Sequence, residues 1–272
     1  MEPHRHLHPH DPWRLPAGVT TDLAAAAADL RARHQPGRPL ILPNVWDPPS
    51  ATAVQQAGFP VVATSSAAML EAIGQRDGGL APPDDAFAAI ARIATAVEVP
   101  VTADIEDGYG LSPVELADRL LASGAVGCNL EDSDHRHPGQ LVDHVAQANR
   151  ITELRAAAQA RGVDLVINAR IDTYIRQAVE PARQLEETLQ RSAFYLAAGA
   201  DCVYPILAPE AQITTLVAQT PGPINVLAPA DIATVARLAG LGVARISMGA
   251  NLARAARLFI TGLLAELRAT TV

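Results

Sequence analysis

A cluster of carboxylates ends an apolar stretch of the chain at residues 101–110, VTADIEDGYG. Asp104, Glu106 and Asp107 close a run that has the composition of a buried strand, and two glycines follow them. Taken alone, the segment is typical of a solvated turn. Carboxylates that converge on one point are also the ligands that hard divalent cations prefer, so a metal site is the alternative.

Strand alternation favours the metal site. Residues i and i+2 of a strand point to the same side, which predicts that Asp104 and Glu106 share a face. Glu131 ends the next strand-like run and can join them. Three like charges in a low-dielectric site repel each other strongly, and a cation relieves that repulsion. Oxygen ligands without a nearby cysteine or histidine predict Mg²⁺, with Mn²⁺ as the other possibility, rather than zinc.

The following strand-like run, VINARID, adds a positive charge. Arg170 supplies a fixed guanidinium and Asn168, two residues earlier, a polar partner. A metal beside an arginine suits a small acid with an adjacent carbonyl, namely a 2-oxo acid or its enolate. Two structural alternatives stay open: Glu131 with Asp132 could cap a helix, and Arg170 with Asp172 could form an ion pair. Their joint position at the ends of adjacent strands favours a functional role.

The alternation of strand-like and helix-like stretches along the chain predicts the fold. From residue 39 onward, eight short β-branched runs alternate with stretches of helical spacing, among them 84–97, 112–123 and 141–161. An additional first helix is expected at 21–33, capped by Thr20 or Thr21. Eight strand–helix units in about 230 residues predict an α/β fold of the (β/α)8 or TIM-barrel type, with its active site at the carboxyl ends of the strands. No GxGxxG follows the first strand, which argues against a dinucleotide-binding sheet.

We expect residues 21–272 to form this single barrel domain. Residues 1–20 hold four alternating histidines among prolines and are expected to be a flexible arm rather than a specific metal site. The later strands carry few polar side chains, chiefly Tyr204, Asn225 and Ser247.

Composition excludes several classes of function. The 272 residues carry a net charge of −8 and no basic block, so neither nucleic acid nor an anionic membrane surface is an expected partner. No apolar run approaches the roughly 18–20 residues that span a bilayer, and the N-terminal residues lack the pattern of a secretory signal. Cys128 and Cys202 lie in strand-like runs and are expected to be core thiols of a cytoplasmic protein. All 21 basic residues are arginine, so lysine-dependent Schiff-base, pyridoxal-phosphate and Walker-type chemistry is excluded.

Several motifs, in order from about residue 40 to 260, carry a family resemblance. LPNVWDPPSATAVQQAGFPVVATSSAA, IGQRDGG, PVTADIEDGYG, GAVGCNLEDSD and VINARIDTY resemble the isocitrate lyase/phosphoenolpyruvate mutase superfamily. The resemblance implies a Mg²⁺-dependent barrel that makes or breaks C–C or P–C bonds in small 2-oxo or 2-hydroxy acids through a metal-stabilised enolate. It also implies a homodimer or homotetramer in which the last helix, residues 251–268, packs on a neighbouring subunit.

The resemblance further implies roles for individual residues. Asp104 matches the direct metal ligand, and three other carboxylates match residues that hold the waters of the metal: Asp77, Glu106 and Glu131. Backbone amides of one short segment match those that grip the substrate carboxylate or phosphonate: Ser65, Ser66 and Ala67. Arg170 matches the substrate-binding arginine, and Trp46 is expected to be a wall of the pocket.

Departures from the superfamily pattern bear on the reaction. The lyase branch carries a KxCGH motif after the fourth strand, where this chain has DSDHRHPGQ with neither cysteine nor lysine. Cleavage of isocitrate or methylisocitrate is therefore not expected. The lysine- and asparagine-containing lid of the mutase and phosphonopyruvate hydrolase branches is missing as well. His135 and His137 lie at the lid position and are candidates for the catalytic acid or base.

These observations predict a Mg²⁺-dependent enzyme that makes or breaks a C–C bond in a small 2-oxo or dicarboxylic acid, with oxaloacetate-decarboxylase-like or acyl-lyase-like activity. Phosphoenolpyruvate mutase-like or phosphonopyruvate hydrolase-like chemistry is one alternative. A barrel that binds a carboxylate or metal without turnover is another, supported by the missing lid motif. The intact set of carboxylates, together with Arg170, argues against that last alternative. The sequence does not identify the substrate.

Overall fold

The computed structural model describes residues 22–137, 139–175 and 179–270. The arm predicted at residues 1–20 lies outside these ranges. The strands are, in chain order, β1 (Leu40–Leu42), β2 (Asn44–Val45), β3 (Val62–Thr64), β4 (Val101–Asp104), β5 (Ala125–Glu131), β6 (Ser133–Asp134), β7 (Gln140–Leu141), β8 (Val166–Ile171), β9 (Cys202–Pro205), β10 (Asn225–Leu227) and β11 (Arg245–Ser247). The α-helices are α1 (Leu23–Ala32), α2 (Pro48–Gln56), α3 (Ser66–Ala72), α4 (Pro83–Thr95), α5 (Pro113–Ala122), α6 (His144–Gln159), α7 (Gln184–Ala197), α8 (Glu210–Gln219), α9 (Ile232–Ala239) and α10 (Asn251–Ala269).

Parallel pairing places the strands in a ring. One sheet has the order β2-β3-β4-β5-β8-β9, and a second has the order β1-β11-β10. β1 and β2 are parts of one strand that is interrupted at Pro43, which has no N–H to donate. At the other seam a single parallel bridge joins Val203 of β9 to Ile224, the residue that precedes β10. The eight barrel strands therefore follow the cyclic order of a (β/α)8 barrel, and the predicted fold is confirmed. β6 and β7 form an antiparallel hairpin outside the ring.

The predicted helices are present with their ends shifted by a few residues. The spans predicted at 84–97, 112–123 and 141–161 correspond to α4, α5 and α6. The predicted cap of the first helix is wrong, because the Asp22 side chain caps α1 and accepts a hydrogen bond from the Ala25 amide at 3.0 Å. Aspartate and threonine are both good caps, so residue type alone did not decide between adjacent positions.

Asn44 closes the carboxyl end of the barrel at the seam between its first and last strands. Its Oδ1 accepts hydrogen bonds from the amides of Met248 at 2.7 Å and Gly249 at 2.9 Å. Its Nδ2 donates to the carbonyl oxygen of Thr64 at 2.8 Å. One buried side chain thus joins β2 to β3 and to the segment that follows β11.

The two cysteines are free thiols within the core, as predicted. Burial raises the pKa of Cys128 and of Cys202 to about 12, so both are protonated at neutral pH. Among the described residues, no helix has the length and apolar character needed to cross a membrane.

α10 presents a wide apolar surface. None of its residues is buried, and Phe259 is 73% exposed. Five further large apolar side chains of the helix are exposed: Leu258, Ile260, Leu263, Leu264 and Leu267. A contiguous apolar face of this kind is typical of a surface that packs on another molecule.

His34, at the end of α1, predicts a pH dependence of stability. The side chain is buried, its Nδ1 lies 2.9 Å from the Leu30 carbonyl oxygen, and its Nε2 has no partner among the described residues. Burial, aided by the charge of Arg245, lowers the pKa of His34 from 6.5 to about 4. The imidazole is therefore neutral in the folded protein at pH values where it is protonated in the unfolded chain.

The lowered pKa of His34 makes the free energy of unfolding depend on pH. We expect this free energy to be highest above pH 6.5 and to decrease as the pH falls toward 4, by up to about 3 kcal/mol. His34→Asn keeps a donor for the Leu30 carbonyl and removes the titrating group. Urea unfolding at pH 7 and pH 4.5 should show a smaller loss of unfolding free energy for this variant than for the wild type. The exposed His137→Asn is the control and should follow the wild type. Equal pH dependence in His34→Asn and the wild type would contradict the assignment.

Candidate active site

A cavity of about 530 Å³ lies at the carboxyl ends of the strands. Its wall carries side chains of both charges: Asp77, Asp104, Arg170 and Arg254. The predicted amide segment of residues 65–67 also lines it. A cavity of this volume with few convergent polar groups suits a small-molecule ligand.

Asp104 is the last residue of β4 and lines the cavity. Its Oδ2 accepts hydrogen bonds from Ser66, from the amide at 3.3 Å and from the hydroxyl at 3.0 Å. Its Oδ1 is buried and has no hydrogen-bond partner in the part of the chain that the structure describes. Burial raises the pKa of Asp104, and the charge of Arg170 opposes the shift.

Glu106 reaches the same region by a different route from the predicted one. β4 ends at Asp104, and Glu106 has a φ of +50°, so the alternation of a strand does not determine its direction. Its Oε2 instead accepts hydrogen bonds from the amides of Gly78 and Gly79. Its Oε1 is buried without a partner among the residues described. Burial and the charge of Asp77 raise the pKa of Glu106 to about 7.

The loop that carries Asp77 packs closely against the hairpin after β5. Gly79 has a φ of +72°, and a Cβ atom at this position would lie 2.8 Å from the Cβ of His135. Real Cβ atoms essentially never approach so closely, so glycine is required both for the backbone conformation and for this contact.

Arg170, on β8, is held by two carboxylates. Its Nη1 lies 2.7 Å from Glu131 Oε2. Its Nε donates to Asp172 Oδ1 at 2.7 Å and its Nη2 to Asp172 Oδ2 at 2.9 Å. The ion pair that was the structural alternative is therefore present, yet the side chain also lines the cavity. A guanidinium has five N–H groups, so two remain for a ligand.

A buried polar network supports this arginine from behind. Asp132 is fully buried and accepts hydrogen bonds from the Asp172 amide at 2.9 Å, the Tyr195 hydroxyl at 2.8 Å and Arg191 Nη1 at 3.0 Å. Burial raises the pKa of Asp132 to about 6. The alternative role of a helix cap is wrong for Asp132, because its oxygens are used to hold the segment after β8.

Neither histidine of the hairpin lines the cavity. His135 Nε2 lies 2.6 Å from Glu131 Oε1, and the hydrogen bond that the imidazole donates to that carboxylate raises the pKa of His135. Both oxygens of Glu131 are thus occupied by His135 and Arg170. His137 is exposed, with its Nδ1 2.9 Å from Asp134 Oδ2. His135 thus contacts Glu131, and His137 contacts Asp134 at the surface.

Two predicted substrate contacts also lie elsewhere. Trp46 lines a groove between α3 and α10 together with Ala68 and Arg257, not the cavity. Asn168 is fully buried inside the barrel. It shares a face with Arg170, as predicted, but two residues of strand place it roughly 7 Å deeper. Its Nδ2 donates to Asn129 Oδ1 at 2.8 Å.

Several polar residues near the cavity were not singled out from the sequence. Asn129 and Arg254 line it, and Arg245 lies beneath it, 1% exposed. Asn129 stands two residues before Glu131, so the alternation argument could have found it. Arg245 stands in an apolar run and Arg254 in a helix with other arginines, and neither position is distinctive in a single sequence.

The donor set fits a hard divalent cation. Among residues 22–137, 139–175 and 179–270, no three His, Cys, Asp or Glu side chains are arranged to ligate one ion together. The buried oxygens Oδ1 of Asp104 and Oε1 of Glu106 nevertheless lack donors, and a buried acceptor without a partner is costly. Mg²⁺ keeps several waters and commonly binds through only one or two carboxylates, which suits this arrangement.

The ring of strands, with carboxylates after β4 and β5 and an arginine on β8, defines a barrel of the isocitrate lyase/phosphoenolpyruvate mutase superfamily. The chain belongs to the family described as phosphoenolpyruvate phosphomutase, which matches residues 30–268. The resemblance seen in the sequence motifs is thereby confirmed.

Relatives are found among curated proteins and solved structures. An uncharacterized protein of Mycobacterium tuberculosis is 36% identical over 218 residues, covering 79% of this chain and 80% of the relative. A structure from Burkholderia cenocepacia, provisionally assigned as a phosphonomutase, is 40% identical with a TM-score of 0.82, covering 88% of this chain and 99% of that one. The chloroplastic carboxyvinyl-carboxyphosphonate phosphorylmutase of Arabidopsis thaliana is 31% identical over 175 residues, 61% of this chain and 50% of the relative.

Other relatives are named 2-methylisocitrate lyase and oxaloacetate decarboxylase, and the chain spans 53–62% of their length. The family thus contains lyases and mutases, which supports the status of this chain as an enzyme. Members of the superfamily generally depend on a divalent metal.

Glu106→Gln tests the carboxylate cluster. Glutamine keeps an acceptor for the amides of Gly78 and Gly79 but removes a charge that is present at pH 8. We expect the metal-free variant to unfold at the same or a higher temperature than the wild type, because repulsion from Asp77 is lost. Its Mg²⁺ affinity should fall by about tenfold or more.

Thermal unfolding and isothermal titration with MgCl₂ at pH 8 measure the two effects. Asp107→Asn is the matched control, since Asp107 Oδ1 accepts from the Tyr109 amide at 2.9 Å in the turn, as predicted. This control should respond to Mg²⁺ like the wild type. A wild-type response in Glu106→Gln would remove Glu106 from the metal site.

Proposed function

We propose that this protein is a Mg²⁺-dependent enzyme that makes or breaks a C–C bond in a small 2-oxo or dicarboxylic acid by way of an enolate, with Mn²⁺ able to replace Mg²⁺. The observation that carries the proposal is a single cavity lined both by Asp104, whose buried Oδ1 has no hydrogen-bond partner among the described residues, and by Arg170, whose guanidinium is held in place by two carboxylates. When bound, the cation would act as a Lewis acid that stabilises the negative charge of the enolate. Asp104 would hold it directly, and Asp77, Glu106 and Glu131 would hold its waters.

Arg170 is suited to bind the carboxylate end of the substrate. Its two remaining N–H groups form a planar fork of the kind that pairs with a carboxylate. Because Glu131 and Asp172 grip the other three N–H groups, the fork does not have to be ordered when the substrate binds. The segment of residues 65–67 lines the same cavity and supplies the amide contacts that the family resemblance implies.

Tyr204 is our proposed proton donor to the enolate carbon. It lies beside Arg170 in the register of β8 and β9 and lines the cavity. Burial raises the pKa of Tyr204, so the hydroxyl is protonated at neutral pH and available for donation. The histidines that were candidates for this role do not line the cavity.

A P–C reaction is the second candidate. It is supported by the family description and by the relative from Burkholderia cenocepacia that is provisionally assigned as a phosphonomutase. The two candidates differ in substrate, since one consumes an acid such as oxaloacetate and the other consumes phosphonopyruvate. Assays of both compounds with the same enzyme preparation decide between them.

Mg²⁺-promoted exchange of the methyl protons of pyruvate with D₂O, followed by NMR, tests the enolate site. We expect exchange by the wild type and a loss of about a hundredfold or more in Asp104→Asn and Arg170→Ala. His137→Ala is the control and should keep the wild-type rate. Equal rates in all four proteins would show that the site is wrongly assigned. Binding of pyruvate without any exchange by the wild type would favour a barrel that binds without turnover.

Tyr204→Phe separates proton transfer from binding when the formation of pyruvate from oxaloacetate is followed, since there the enolate carbon must gain a proton. We expect the rate to fall by roughly 10²–10⁴-fold, the usual contribution of a general acid, while the affinity for oxalate is unchanged. An unchanged rate would exclude Tyr204 as the donor.

We also propose that α10 packs on a second copy of the chain, giving a homodimer or homotetramer. The exposed apolar face of α10 supports this assignment. Light scattering should show an oligomer for the wild type and a shift toward monomer for Phe259→Glu with Leu263→Glu. Val114→Glu alters an exposed apolar residue of α5 and should leave the mass unchanged. A monomeric wild type would contradict the proposal.

A further inference from the structure

The layer beneath the cavity contains a charged side chain where a barrel of this type usually carries bulky apolar residues. Arg245, the first residue of β11, is 1% exposed. It pairs in register with Leu40 on one side and Asn225 on the other, within the shorter of the two sheets. A guanidinium at this depth requires an explanation, since it cannot lose its proton under ordinary conditions.

The contacts of Arg245 do not neutralise its charge. Nη2 donates to Asn129 Oδ1 at 3.0 Å and Nε donates weakly to Ser247 Oγ at 3.4 Å. Nη1 has no hydrogen-bond partner, and within the described ranges no carboxylate forms an ion pair with the side chain. A buried charge without a counter-ion is destabilising, so packing alone does not account for an arginine here.

The orientation of Asn129 shows where this charge acts. Its Oδ1 accepts from two donors, Arg245 Nη2 at 3.0 Å and Asn168 Nδ2 at 2.8 Å. An atom that receives hydrogen bonds from two donors must be the amide oxygen. The Nδ2 of Asn129 therefore points away from Arg245 and Asn168. Asn129 lines the cavity, and its Nδ2 donates to no group in the portion of the chain described. It also stands opposite Asp104 in the register of β4 and β5.

We propose that Asn129 is a substrate-binding residue that donates its Nδ2–H to a negatively charged oxygen of the bound acid, and that Arg245 is a positioning residue that fixes this amide and places a positive charge beneath that oxygen. The inference rests on the proposed function and refines it. The ligand class is a planar acid with two adjacent oxygen-bearing carbons, such as a 2-oxo acid, its enolate or the enolate mimic oxalate.

The arrangement is suited to stabilise an anion. A fixed dipole and a fixed charge in a water-poor site do not have to reorient when negative charge develops, so each is more effective than in water. The bound anion also supplies the opposite charge that Arg245 lacks in the empty cavity. Arg245 is therefore expected to weaken the stability of the free protein and to strengthen the binding of the ligand.

Two substitutions test this inference through oxalate binding at saturating Mg²⁺, measured by isothermal titration. Asn129→Asp is nearly isosteric, replaces the donor by an acceptor and pairs with Arg245. Arg245→Met removes the charge and keeps most of the volume. We expect each to lower the oxalate affinity by about tenfold or more while the unfolding temperature stays equal to or above that of the wild type.

Arg150→Met is the matched control. Arg150 is a partly buried arginine outside the cavity whose Nη2 donates to the Leu111 carbonyl oxygen at 3.4 Å. It should keep wild-type affinity for oxalate.

If Asn129→Asp and Arg245→Met bind oxalate as tightly as the wild type while Asp104→Asn does not, this inference is overturned and the proposed function stands. If Arg245→Met unfolds at a lower temperature and Asn129→Asp binds normally, Arg245 is structural and the inference is again overturned. If wild-type protein with Mg²⁺ does not bind oxalate at all, the proposed function fails as well.

Discussion

The cost of burying several carboxylates at one end of a barrel shapes the rest of this structure. Asp104, Glu106 and Glu131 lie within a small, poorly solvated region, and burial raises the pKa of each. Each acid is stabilised by a different element. The start of α3 holds Asp104, and a glycine-rich loop holds Glu106. A guanidinium and an imidazole hold Glu131. In the first two cases one oxygen is held and the other has no hydrogen-bond partner among the described residues. The proposed metal site depends on these two unpartnered oxygens.

The two arginines near the cavity, Arg170 and Arg245, differ in the same way in how far their neighbours balance their charge. Arg170 receives its counter-charge from Glu131 and Asp172, and Asp172 is itself held by Asp132 and by the Ser133 hydroxyl. Arg245 receives none among the residues described. One arginine is therefore neutralised and precisely oriented by its neighbours, and the other keeps its charge for the cavity. A small acid that lies between them meets a fork of donors on one side and an amide backed by a charge on the other.

The barrel was predictable because eight strand–helix repeats and their helix stops are local patterns, each visible within about ten residues. Asp104 was predictable for the same reason, as the end of a strand. Glu106 lies in this region for a reason other than strand alternation, since its direction depends on amides 28 and 27 residues earlier in the chain. Asn168 has the predicted face but not the predicted depth, because alternation does not specify height within the barrel. The roles of the histidines depend on Glu131 and Asp134 as partners, which no local pattern specifies.

The contact between Gly79 and His135 makes two surface segments mechanically dependent on each other. The loop of residues 74–82 holds Glu106 through its amides, while the hairpin of β6 and β7 holds Glu131 through His135, and the two segments touch where no side chain fits. Neither can be rebuilt alone without disturbing the acid that the other supports. A graft of substrate preference from a relative would therefore have to move both segments together.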